Sequence, residues 1–107
     1  MEWKEFTLSL HSEENGEHLD LFLDPGQEEN LLTFGTSDVN LDDFLKGRVV
    51  EFEKKRSHRR NYLEYEGAIP GKGRIQVVLK GRYDADTFQE GEKVRLKYKD
   101  GKLYPER

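Results

Sequence analysis

The chain contains no cysteine. Disulfides, zinc–thiolate sites and thiol nucleophiles are therefore excluded, and any metal must be held by histidine and carboxylate. Long hydrophobic runs are also missing. The longest apolar stretches are a few residues, far short of the roughly 20 needed to span a bilayer as a helix. The opening residues Met1-Glu2-Trp3-Lys4-Glu5 place no apolar core behind a basic end, so no secretory signal is read there. Internal repeats, low-complexity tracts and linkers are absent as well. These absences point to one soluble domain over residues 1–107, cytoplasmic and monomeric, with no membrane partner.

Charge and periodicity are what the sequence does have. Charged residues make up 37% and hydrophobic residues 34%, and the latter fall in periodic runs, which excludes a disordered chain. The net charge of −4 hides a division. Residues 1–30 hold nine acids against the single base Lys4, whereas the remainder carries 13 acids and 17 bases. The densest basic stretch is "KKRSHRR", residues 54–60. An acidic protein is a poor general binder of nucleic acid, but a local basic patch on it can hold one phosphate or one strand end.

Period-two alternation dominates and predicts strands. In "EFTLSLH" Phe6, Leu8 and Leu10 share a face, and in "HLDLFLD" Leu19, Leu21 and Leu23 do the same. "NLLTFGT", "RVVEFEKK" and "GRIQVVLKGRY" follow as strands, and "EKVRLKYKDGKLYPER" reads as a hairpin turning at Asp100-Gly101. One short helix is predicted in "SDVNLDDFLKG", capped by Ser37 or Asn40, packed through Leu41, Phe44 and Leu45, and ended by Gly47. The expected fold is mainly β: a small closed or partly closed barrel of antiparallel strands with one short helix.

The segment "HSEENGEHLDLFLD", His11 to Asp24, carries the first chemical signal. Residues i and i+2 of a strand point the same way, so His18 and Asp20 share the face opposite the leucines. If the flanking strands pair through Glu13–Gly16, His11 joins them. Two imidazoles and a carboxylate make a borderline-to-hard ligand set, suited to Mn²⁺, Zn²⁺ or Fe²⁺, with positions left for water or substrate. On spacing alone the same residues also read as surface histidines and a solvated edge carboxylate. The third histidine, His58, lies in the basic stretch. By itself that segment reads as a charged loop or edge strand with Tyr62 or Tyr65 in the core.

Taken together, the two segments resemble a known family. "HSEENGEHLDLFLD" is similar to the histidine–histidine–aspartate signature of the 3′-phosphoesterase domain of bacterial DNA ligase D. "SHRRNYLEYEGAIPGKGRIQVVLKGRY" is similar to the same family's histidine–tyrosine segment and the strand after it. The resemblance covers roughly residues 5–84 and is dilute outside the two motifs. It implies that His11, His18 and Asp20 are metal ligands, with Mn²⁺ the usual family metal and Zn²⁺ another divalent choice. It implies that His58 and Tyr62 contact the reacting phosphate. The implied activity is metal-dependent removal of a 3′-phosphate or 3′-ribonucleotide in DNA repair. The implied partners are 3′ ends of DNA or RNA-tipped DNA and separate ligase or polymerase polypeptides.

The chain departs from the family pattern at named positions. Six residues rather than five separate His11 from His18. Phe22 and Gly16 stand where the family carries arginines, and Arg56 where it carries an acid. Arg56, Arg59, Arg60 and Lys72 are the cations left to meet a phosphate. Restoring the clamp with Phe22→Arg is expected to raise turnover or phosphate affinity. A non-catalytic module that binds a phosphorylated end or a repair partner on the same fold is the alternative expectation.

Overall fold

The computed structural model describes residues 1–27 and 29–106. Eight strands run in the order β1 (Trp3–Glu13), β2 (Gly16–Leu23), β3 (Leu31–Thr36), β4 (Val50–His58), β5 (Gly67–Ala68), β6 (Arg74–Asp84), β7 (Lys93–Lys99) and β8 (Lys102–Pro105). A short helix, α1 (Leu41–Leu45), lies between β3 and β4, and a 3₁₀ turn spans Arg60–Leu63 before β5. Neighbouring strands follow the order β1-β2-β3-β4-β7-β8-β6, and β6 pairs back onto β1. Seven strands thus close a barrel, and β5 is appended beside the start of β6. The pairings are antiparallel except β6 with β8, which run parallel through Arg82↔Lys102 and Tyr83↔Leu103.

Alternation decides which side chains fill the barrel. Leu19, Leu21 and Leu23 of β2 point inward, against Phe6 and Leu8 of β1, Phe34 of β3, Phe52 of β4 and Leu96 of β7. Each such side chain contributes about 1.5–3 kcal/mol by leaving water. A one-residue slip of β2 would exchange its three leucines for His18, Asp20 and Phe22, so the register is strongly specified. The closing hairpin turns where expected: Asp100 and Gly101 have φ of 51° and 81°, the paired positive values of a type I′ turn. The final residue of that hairpin segment, Arg107, lies outside the described residues.

The helix is shorter than its sequence signal. Asn40 is its cap, accepting from the Asp43 N–H at 3.2 Å, and Phe44 is buried edge-to-face against Phe52. Leu45, expected in the core, is 43% exposed. A helix of five residues offers the barrel little more than one filled contact position, and Phe44 takes it.

The outer face of β1–β3 is covered too. Residues 59–73 cross it as a strap, with Tyr62, Leu63, Tyr65 and Ile69 packed on Phe22, Leu31 and Ile75. Polar bonds fasten the strap. The Thr7 hydroxyl donates to the Leu63 carbonyl at 2.6 Å. The Arg60 guanidinium forks onto the Asp24 carboxylate with two bonds of 2.8 Å and reaches the Glu29 carbonyl at 3.0 Å. That guanidinium, helped by the Gly26 N–H, holds the Asp24 carboxyl below the usual carboxylate range against the opposing effect of its partial burial.

A depressed folded-state pKa contributes stability above the ordinary carboxylate value and loses it as pH falls through the lower one. Arg60→Ala is therefore expected to cost about 1–2 kcal/mol at neutral pH. The gap between variant and wild type should stay flat down to about pH 5 and close below about pH 4. Urea unfolding across that range measures it; a gap that widens toward acid would contradict the assignment.

Candidate metal centre and its pocket

The β1–β2 hairpin builds the centre. Glu13 pairs with Gly16 across a two-residue turn, and the same register sets His11 directly opposite His18. The six-residue spacing of the histidines is thus the spacing a two-residue turn needs to make them cross-strand neighbours. Directly opposed residues have Cβ atoms about 4.5–5.5 Å apart, and the two imidazole rings lie 4.6 Å apart. Asp20, two residues beyond His18, leans back between them. Its carboxylate oxygens stand 3.4 Å from His11 Nδ1 and 3.2 Å from His18 Nε2. One ligand atom from each of the three residues falls within a 4.8 Å cluster.

The two contacts to Asp20 suit a shared cation, within a cluster that spans up to 4.8 Å. Ligand bonds of about 2.0–2.2 Å around a tetrahedral or octahedral ion place adjacent ligand atoms roughly 3.0–3.5 Å apart. The protonation of His11 adds a second argument. Its Nε2 meets the Lys72 carbonyl oxygen, which can only accept, so Nε2 carries the proton. Nδ1 of a neutral His11 then faces Asp20 with a lone pair. That nitrogen and the Asp20 carboxylate are thereby the pair placed to share an ion. A second-nitrogen bond to a backbone carbonyl is also how metal-ligating histidines are fixed in one tautomer.

The Lys72 carbonyl reaches His11 because of a glycine. Ile69 N–H donates to the Gly73 carbonyl and Lys72 N–H to the Ile69 carbonyl, both at 2.8 Å, closing a tight turn at the end of the strap. Gly73 has φ of 76°, and a Cβ there would lie 1.9 Å from the Ser12 carbonyl oxygen. Only glycine lets the turn sit this close to β1.

The three groups form one wall of a groove of about 770 Å³. His58, at the end of β4, and Tyr62, in the strap, line the same groove. The His58 Nδ1–H donates to the Arg56 carbonyl at 2.8 Å, and the Thr33 hydroxyl oxygen lies 3.1 Å from the same nitrogen. That leaves Nε2 as the exchangeable nitrogen. Phe22 makes the floor: it is fully buried, 5.3 Å edge-on from the His58 ring and 5.8 Å stacked on Tyr62.

The two sequence motifs therefore meet in one pocket, although 40 positions separate His18 from His58. Arg56 lines it. Arg59 is exposed and outside it, and Arg60, expected to meet a phosphate, is instead turned onto Asp24. Sequence reasoning missed the other charged walls, Glu13, Glu51, Glu53 and Lys55. It also missed the Lys72 carbonyl, for which the paired glycines of "PGKG" were the available signal.

Among known proteins the chain matches no family model, and no curated protein or solved structure is significantly similar to it. The resemblance to the phosphoesterase domain rests on the two motifs alone.

Gly73→Ala is expected to weaken Mn²⁺ or Zn²⁺ binding by about tenfold or more, the usual effect of losing a group that orients a ligating histidine. Gly71→Ala is the control. Gly71 has a similar φ of 73°, but a Cβ there meets nothing within 4 Å. Equal affinities for the two variants by metal titration would show that the Lys72 carbonyl does not tune the site.

Proposed function

We propose that the groove is a divalent-metal centre that processes phosphoesters at the 3′ ends of nucleic acid. The observation that supports this reading is the meeting of the His11–His18–Asp20 cluster with His58 and Tyr62 in one pocket. His11, His18 and Asp20 would hold the ion, Mn²⁺ or Zn²⁺ by the chemistry of the donor set. A bound ion supplies Lewis-acid polarisation of a phosphoryl oxygen.

The charge of the pocket supports a role for a metal. Its walls carry three cationic side chains, Lys55, Arg56 and Lys72, against four carboxylates, Glu13, Asp20, Glu51 and Glu53. A divalent ion reverses the sign of that balance. Without it an anionic substrate meets net repulsion; with it Arg56 and Lys72 can add to the attraction. His58 Nε2 serves as acid. As water attacks phosphorus and gives its proton up to solvent, the bond to the leaving 3′-oxygen breaks and that oxygen takes the Nε2 proton of the imidazolium, while the Arg56 carbonyl holds Nδ1–H and keeps the ring oriented. Tyr62 orients the same phosphate from the strap.

A second reading, a non-catalytic module for phosphorylated ends, is favoured by Phe22. No arginine occupies that floor, and the ring is locked between His58 and Tyr62. The family pattern alone suggests that Phe22→Arg restores a phosphate clamp. The packing overturns that expectation. A guanidinium in a fully buried aromatic cluster leaves a charge without water, and the change is expected to destabilise the fold by about 3 kcal/mol or more.

The test is release of phosphate or of a terminal ribonucleoside from a labelled 3′ end, with Mn²⁺ and then with chelator. Turnover should require the metal and fall about a hundredfold or more in His58→Ala, the usual weight of an acid–base or phosphate-stabilising histidine. In parallel, His18→Ala should abolish Mn²⁺-induced NMR line broadening at the hairpin. Metal binding without turnover in the wild type would replace the enzyme by the binding module; no metal binding would remove both.

A further inference from the structure

Beyond β4, the outer wall formed by β6, β7 and β8 is basic. On β7 the inward residues Val94 and Leu96 alternate with Lys93, Arg95, Lys97 and Lys99. Lys102 on β8 and Lys80 and Arg82 on β6 continue the same wall. Among the described residues, Lys97 is the only one of these seven in an ion pair, with Glu106 at 3.3 Å. Like charges sit directly opposite each other: Lys99 pairs with Lys102, and Arg82 with Lys102. Directly opposed like charges destabilise a sheet; at the two edges of the wall the cations face acids instead, Arg82 opposite Glu5 and Lys93 and Arg95 opposite Glu53 and Glu51.

Two aromatic side chains stand among the cations. The Lys102 ammonium lies 4.8 Å from the centroid of the half-buried Trp3 ring. Tyr104, 36% exposed, is the cross-strand neighbour of Lys97. Cations along a groove or face interleaved with exposed rings are the recognition chemistry of single-stranded nucleic acid, phosphates on the former and bases on the latter. A membrane surface would instead ask for a larger apolar patch, and an acidic peptide gives the rings nothing planar to stack on.

The wall also abuts the pocket. Glu51 and Glu53 of β4 line the groove, and their cross-strand partners on β7 are Arg95 and Lys93. Adjacent strands are about 4.8 Å apart, so a chain leaving the pocket reaches the basic wall after crossing one strand. We propose that the β6–β7–β8 wall is a binding track for a single-stranded nucleic acid. Its cations take the phosphates and Trp3 and Tyr104 stack on bases. That the 3′ end of the bound strand points toward the groove rests on the metal-centre reading; the track itself does not.

Trp3 is the chain's only tryptophan, which gives the test a local reporter. A short oligothymidylate is titrated into the full chain in chelator at low salt, reading Trp3 fluorescence and the anisotropy of an end label. The expected result is Trp3 quenching with saturable binding. With about four phosphate contacts, affinity should fall roughly fiftyfold between about 50 and 200 mM salt. Lys99→Glu with Lys102→Glu should weaken binding at least tenfold, and Tyr104→Ala should weaken it with little change in the salt dependence. His18→Ala should leave it within about twofold, which separates this proposal from the metal reading. Lys99→Ala, a milder change checked by circular dichroism, covers the case in which charge reversal unfolds the chain. The proposal is overturned by an absence of quenching and binding. It is equally overturned by binding that Lys99→Ala and the double reversal leave unchanged, by binding that needs Mn²⁺ and is lost in His18→Ala, or by equal affinity for polyglutamate.

Discussion

β2 is buried on both of its faces, and the candidate site exists because of that double burial. Its leucines fill the barrel, as any strand of alternating character would allow. Its other face would be an ordinary wet surface if the 59–73 strap did not cross it. The strap stays because Phe22 offers it an apolar seat, because Thr7 and Asp24 give it hydrogen-bond partners, and because Gly73 lets its end touch β1. His11 and Asp20, both only 7% exposed, lose their water in consequence. A desolvated carboxylate against two imidazoles is costly unless positive charge is shared among them. The packing that closes the strap is therefore also what gathers three groups that could hold a cation.

Much of this was legible in the sequence where the signal is local. The period-two runs gave the strands and the inward leucines, Asp100-Gly101 gave the last turn, and the shared parity of His18 and Asp20 put them on one face. The seven-position offset between His11 and His18 is also local, because a two-residue turn converts it directly into a cross-strand contact. What sequence did not carry is long-range. Closure through β1–β6, the parallel β6–β8 pair and the Arg60–Asp24 fork join residues far apart in the chain, and no periodicity encodes such partners. Leu45 was misplaced because helical spacing says nothing about how short the helix will be.

The two arginines that follow His58 show why a basic run is a weak indicator of a phosphate site. Arg59 and Arg60 are adjacent in sequence, yet one is exposed to solvent and the other forks onto Asp24. A bidentate arginine–carboxylate bond has fixed geometry, so Arg60 serves the strap and is lost to any ligand in the groove. Phe22 makes the complementary point. Judged against a family pattern it is a missing charge, whereas in the fold it is the floor on which His58 and Tyr62 are oriented.

Charge segregation links the hairpin to the far wall. Glu13, Glu14, Glu17 and Asp20 gather in the β1–β2 hairpin that carries the candidate cation site, and Lys80, Arg82, Lys93, Arg95, Lys97, Lys99 and Lys102 lie on β6–β8. Between them stands β4, whose Glu51 and Glu53 face the groove and pair across to Arg95 and Lys93. Those pairs stand about 4.8 Å apart, inside the screening length of about 8 Å at physiological ionic strength, so Arg95 and Lys93 offset part of the groove's negative charge. An anion attracted to the wall still meets a negatively lined groove beside it, and the sign of that groove depends on whether His11, His18 and Asp20 hold a divalent ion. Binding along the proposed track would depend on salt and the proposed chemistry on metal, so a strand spanning both would need the two conditions met together.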